Sequence, residues 1–149
     1  MTSSTERVTG PSRLPWRTML QLHFAAQQAH VDDDQDDHEI FSMALSSVNP
    51  SIQCIYFDSA KSALCIMEDE NFRAPDYIFL DLNMPGINGL QLLEILKTTK
   101  DLAAIPVIIY STSILPADYE KARLLGATGF LIKPSSLPEL IKELNQILQ

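Results

Sequence analysis

The sequence predicts an α/β fold, a doubly wound parallel sheet, and two observations carry that expectation. Short apolar runs rich in β-branched or aromatic residues recur along the chain: IQCIYF (52–57), YIFL (77–80), PVIIY (106–110) and GFLI (129–132). Such runs read as strands covered on both faces. Between them lie longer stretches with apolar residues at helical spacing. Strands alternating with helices of this length build right-handed βαβ units. A length of 149 residues, with no internal repeat or interior linker, suits one such domain.

The helices follow from spacing and caps. DDHEIFSMALSSV places Ile40, Phe41, Ala44 and Leu45 on one stripe. SAKSALCIMEDE opens with Ser59 as N-cap and spaces Ala63, Ile66 and Met67 helically. NGLQLLEILKTTK has Asn88 as cap, Leu90, Leu93 and Leu96 about a turn apart, and lysines at the end that suits the helix dipole. PADYEKARLLG starts with a first-turn proline and stops at Gly126, and LPELIKELNQIL aligns Leu137, Leu140, Ile141 and Leu144.

Composition narrows the function. Hydrophobic residues at 46% and charged residues at 20% describe an ordinary globular protein. No apolar run approaches the roughly 18 residues of a membrane span, and a net charge of −8 argues against direct nucleic-acid binding. Cys54 and Cys65 lie in apolar segments away from any CxxC or His cluster, so they are expected to be reduced core thiols of a cytoplasmic protein. Residues 1–30 carry three arginines against one glutamate, a net of +2, which leaves −10 on the remainder. The opening is rich in Ser, Thr and Arg, and residues 1–28 are expected to form a poorly ordered extension before a domain at 29–149.

In doubly wound sheets, function gathers at the carboxyl ends of the strands. Reactive groups stand at four such places: Asp32 and Asp33 in HVDDDQDD, Asp81 after YIFL, Ser111 and Thr112 after PVIIY, and Lys133 after GFLI. Crowded carboxylates raise one another's pKa unless a cation sits among them, and hard oxygens with open positions suit Mg²⁺. A lysine and a hydroxyl nearby can hold a transferring phosphoryl group, and a carboxylate can accept it as an aspartyl-phosphate. Singly, each residue has a plainer reading: a helix cap, a surface turn, or a solvated helix start for the acidic run 32–37. Their succession at strand ends favours phosphoryl transfer to Asp81.

VDDD, FLDLNMPGINGLQLL, IPVIIYSTS and GATGFLIKPSS, across residues 31–149, resemble the receiver domain of two-component response regulators. The resemblance implies a flavodoxin-like fold of five parallel strands in order 2-1-3-4-5 with five helices. It implies that Asp81 becomes a 4-aspartylphosphate, receiving phosphate from a histidine kinase or phosphotransfer protein. Asp33 would bind Mg²⁺ directly, Asp32 mainly through water, and Asn83 through its backbone carbonyl. Ser111 and Lys133 would hold the phosphoryl group, with Lys133–Pro134 cis, and Phe130 would be the switch aromatic that follows Ser111. No output domain follows Gln149, so a stand-alone receiver is expected, weakly self-phosphorylating and autodephosphorylating, and acting on a downstream protein through residues 116–149.

The first strand fits least. FAAQQAHVDDD puts Gln27, Gln28 and His30 where a central strand is buried, and unpaired buried amides cost roughly 1–3 kcal/mol each. His30 is therefore expected to be a misfit or exposed, and a damaged strand there would misplace Asp32 and Asp33. That keeps open a receiver-like binding module that is not phosphorylated. A haloacid-dehalogenase-type phosphatase needs a second Asp where Asn83 stands. An EF-hand over 32–43 fails at Asp37 and Met43, where Gly and Glu are required.

Overall fold

The computed structural model describes residues 26–149. The extension expected over 1–28 lies outside the described residues as far as residue 25, and Gln27 already opens the first strand. Five strands alternate with five helices: β1 (Gln27–Val31), α1 (Gln35–Val48), β2 (Gln53–Phe57), α2 (Ala60–Met67), β3 (Tyr77–Leu80), α3 (Gly89–Thr98), β4 (Val107–Ser111), α4 (Pro116–Leu125), β5 (Gly129–Ile132) and α5 (Leu137–Leu148). All strand pairs are parallel, in order β2-β1-β3-β4-β5. The expected fold is present.

Alternation along each strand divides the core in two. Ala29, Val31, Ile78, Leu80, Val107 and Ile109 face α2 and α3, against Ala63, Leu92, Leu93 and Leu96. Phe79, Ile108, Tyr110 and Leu131 face the other way, against Phe41, Ala44 and Leu45 of α1 and Leu140 and Leu144 of α5. The helix ends expected at Ser59, Asn88 and Gly126 are present. Ser59 and Asn88 accept the N3 amides of α2 and α3, and Gly126 closes α4 at φ 106°, a conformation that glycine adopts without penalty.

Several expectations need correction. Ile40 and Ile66 lie outside their stripes, 39% and 49% exposed. β2 and β5 are edge strands and only partly covered, so Tyr56 and Ile132 reach solvent. Cys54 is half-buried, its thiol pushed up to about 12 by burial, whereas Cys65 is exposed and is no core thiol; both are free. The Lys133–Pro134 bond is trans, as is every described peptide bond, in keeping with an intrinsic preference of about 0.5–1 kcal/mol for trans before proline.

The largest correction concerns β1. Gln27, Gln28 and His30 are all buried, and His30 is 0% exposed. The strand forms because its polar groups find partners that hydropathy does not register. Gln27 Oε1 accepts from Arg73 Nη1. On the α1 face the His30 ring stacks on Phe41, with centroids 4.5 Å apart, and its Nδ1 meets His38 Nδ1 at 3.0 Å. Only Gln28 Oε1 and His30 Nε2 stay without a hydrogen bond among the described buried side-chain atoms.

Candidate functional site

The parallel ladder itself assembles the site. The Asp32 amide donates to the Phe57 carbonyl and the Asp81 amide to the Val31 carbonyl, each at 3.0 Å, and the Lys133 amide donates to the Ser111 carbonyl at 2.8 Å. The residues just beyond β1, β3 and β5 are therefore held by the sheet's last hydrogen bonds, beside Ser111 at the end of β4. Carboxylate oxygens of Asp32, Asp33 and Asp81 all lie within 4.8 Å of one another, with Asp32 and Asp81 buried and Asp33 exposed. Three hard oxygen donors at this spacing, one side open to water, fit a Mg²⁺-type cation.

Asp81 is held on one oxygen. Its Oδ1 accepts from Ser111 Oγ at 2.8 Å and from the Asn83 amide at 3.3 Å, while Oδ2 faces Lys133 Nζ at 4.0 Å. Asn83 Nδ2 also donates to Ser111 Oγ at 3.3 Å. Behind the aspartate, α3 comes unusually close: a Cβ on Gly89 would stand 2.3 Å from the Asp81 carbonyl oxygen. Glycine at the first helical position lets α3 pack directly on the backbone that carries Asp81.

The two buried aspartates are tuned in opposite directions. Burial raises the Asp81 carboxyl above its ordinary value, and the contacts from Ser111 and Lys133 offset this only in part. Burial also pushes on Asp32, but the His30 ring, Lys133 and the Asp34 amide outweigh it and hold Asp32 at about 2. Of these partners, Lys133 Nζ at 2.7 Å and the Asp34 amide at 2.9 Å make hydrogen bonds. His30 Nε2 lies farther off, 3.5 Å from Asp32 Oδ2.

Two histidines brace Asp32 from below. His38 Nε2 lies 2.7 Å from the Asp32 carbonyl, which only accepts, so that nitrogen carries the proton. His38 Nδ1 and His30 Nδ1 share one proton across their 3.0 Å contact, and His30 Nε2 lies 3.5 Å from Asp32 Oδ2. Burial lowers the His30 pKa, which favours the neutral form of that ring.

Of the residues expected from sequence, Asp32, Asp33, Asp81, Asn83, Ser111 and Lys133 are brought together. Phe130 stands apart, half-buried, packed on the core and tilted against Tyr119 with ring centroids 4.3 Å apart. Sequence reading passed over Asp37, whose Oδ2 takes a hydrogen bond from Lys133 Nζ at 2.6 Å. It also passed over His38, and over Tyr110, whose ring lies 5.5 Å from that ammonium. The one available signal for Asp37 was its position a helical turn beyond Asp33.

The model of the response regulator receiver domain matches residues 29–145. The chain belongs to the response regulator receiver domain family. A two-component response regulator of rice, ORR12 (Oryza sativa subsp. japonica), is 32% identical over 117 residues, covering 78% of this chain and 93% of the relative. Another from the same source, ORR1, is 34% identical over 109 residues, 70% of this chain but 47% of the relative, so the chain spans about half that relative's length. Among solved structures, the phosphorylated cyanobacterial phytochrome response regulator RcpA superposes with TM-score 0.75 at 27% identity, over 83% of this chain and 91% of that one. The Mn²⁺-bound response regulator Rcp1 gives 0.72 at 27% identity, over 82% and 91%. Receiver domains bind Mg²⁺ at an acidic pocket and interact with histidine kinases or phosphotransfer proteins. No helix among the described residues is long and apolar enough to cross a membrane.

Proposed function

We propose that this receiver domain is a phosphorylation-dependent switch of a two-component phosphorelay that accepts a phosphoryl group on Asp81. The observation that carries the reading is the nucleophile's setting. One carboxylate oxygen is fixed by Ser111 and Asn83 and the other faces Lys133, beside two further carboxylates spaced for a divalent cation. Asp81 attacks the phosphorus of a phosphohistidine on a histidine kinase or phosphotransfer protein. The new O–P bond replaces the P–N bond, and the leaving imidazole takes up a proton. A Mg²⁺ held by Asp32, Asp33, Asp81 and the Asn83 carbonyl would neutralise charge on the phosphoryl oxygens.

Ser111 and Lys133 do the rest. The hydroxyl that now donates to Asp81 Oδ1 turns to a phosphoryl oxygen, and Lys133 pairs with another. Drawing Ser111 inward frees space for Phe130 and biases the population toward an altered α4–β5–α5 face. Tyr119, Leu124 and Ile132 are exposed there, which supports docking of a downstream protein through residues 116–149. The case for a module that is never phosphorylated rested on a misplaced Asp32, yet Asp32 lies 2.7 Å from Lys133.

Incubation with phosphoramidate and Mg²⁺, followed by intact mass, tests the reading. One phosphoryl adduct is expected, absent from Asp81→Asn. A folded protein that takes up no phosphate would leave the binding-module reading standing, and multiple turnover with rapid phosphate release would point to a phosphatase.

A further inference from the structure

Lys133 is already engaged on two sides. Its Nζ donates to Asp37 Oδ2 at 2.6 Å and to Asp32 Oδ2 at 2.7 Å, whereas Asp81 Oδ2 is 4.0 Å away. An ammonium has three N–H donors, and two are committed before any phosphoryl group arrives. Asp37 does not belong to the three carboxylates that converge for a cation. It enters from the first turn of α1, which Asp34 starts by capping the Asp36 amide.

The two arms of this grip differ in what release costs. The Asp32 side chain is 0% exposed, so losing the lysine strands a buried carboxylate, which is expensive. The Asp37 side chain is 23% exposed and can rehydrate when it lets go. A phosphoryl group brings roughly −1.5 to −2 charge and three strong acceptors. It therefore takes the lysine from Asp37 first.

We propose that Asp37 is a built-in competitor for Lys133, a positioning residue that restrains phosphoryl acceptance at Asp81 and gives way when the phosphoryl group forms. The inference rests on the reading of Asp81 as acceptor. It also ties the first turn of α1 to the state of the site, because the Lys133–Asp37 pair exists in the unphosphorylated form and is broken in the phosphorylated one.

The test compares second-order rate constants for phosphoramidate labelling in Mg²⁺ by intact mass. Asp37→Asn is expected to label faster by about fivefold, the equivalent of one partly exposed ion pair. Asp37→Glu, which keeps the charge, is expected to restore a rate near that of the unsubstituted protein. Asp36→Asn makes the same charge change one residue away without touching Lys133, and its rate is expected to stay unchanged. Urea midpoints show that the variants are folded. An unchanged or slower rate in folded Asp37→Asn overturns the inference while leaving Asp81 as acceptor. An equal gain in Asp36→Asn overturns it too, because bulk charge would then explain the effect. No labelling of any folded protein removes both this inference and the proposed function.

Discussion

Asp32 and Asp81 are the same side chain at the same sheet edge, and their partners give them different properties. Asp32 is depressed to about 2 because the His30 ring, Lys133 and the Asp34 amide outweigh its burial, so its folded value lies below the unfolded 3.8. A depressed carboxylate contributes stability that is complete above the unfolded value and lost as pH falls through the folded one. Urea unfolding of the native protein and Asp32→Asn should therefore differ most near neutrality, and the gap should shrink between about pH 4 and pH 2. A gap that widens on acidification would contradict the assignment. At this scale the sequence was legible where function sits at a strand end: Asp81, Ser111 and Lys133 follow clear apolar runs directly, whereas Asp32 and Asp33 follow the poorer run QQAHV. Asp37, His30 and His38 were not legible, because what they touch depends on how α1 is rotated onto the sheet. No local pattern encodes that rotation.

At the scale of elements, β1 shows how a strand with poor hydropathy is still central. Its register against β2 and β3 is complete, and Gln27 and His30 are answered by Arg73 and His38 from elsewhere in the chain. Gln28 is answered only in part, since its buried Oε1 has no partner. Replacing it with the similarly shaped Met should raise stability by about 1 kcal/mol in urea unfolding; a loss would mean that the amide is satisfied after all. The α3 entry makes the opposite case. Gly89→Ala would press a Cβ into the Asp81 backbone, with an expected loss of about 1–3 kcal/mol and slower phosphoramidate labelling. Unimpaired stability and labelling would show that the close approach is not needed. The helix caps were readable in advance because Ser59, Asn88 and Gly126 act locally. The exposure of Ile40 and Ile66 was not, because helical spacing leaves the width of the buried stripe open.

For the whole molecule, strand order is what converts scattered residues into one site. Parallel pairing of β1 beside β3, β3 beside β4 and β4 beside β5 places Asp32, Asp81, Ser111 and Lys133 in neighbouring positions at one edge. The alternating texture of the sequence made the doubly wound class legible. The strand order came from resemblance, since periodicity cannot distinguish one arrangement of parallel strands from another. The central claim is that Asp81 is the phosphorylated residue, and its most direct test is chemical. After labelling with phosphoramidate and Mg²⁺, borohydride reduces an acyl phosphate to an alcohol and converts the modified aspartate to homoserine. Peptide mass spectrometry is predicted to find homoserine at position 81. Homoserine at 32 or 33, or at no position in a labelled protein, would contradict the account.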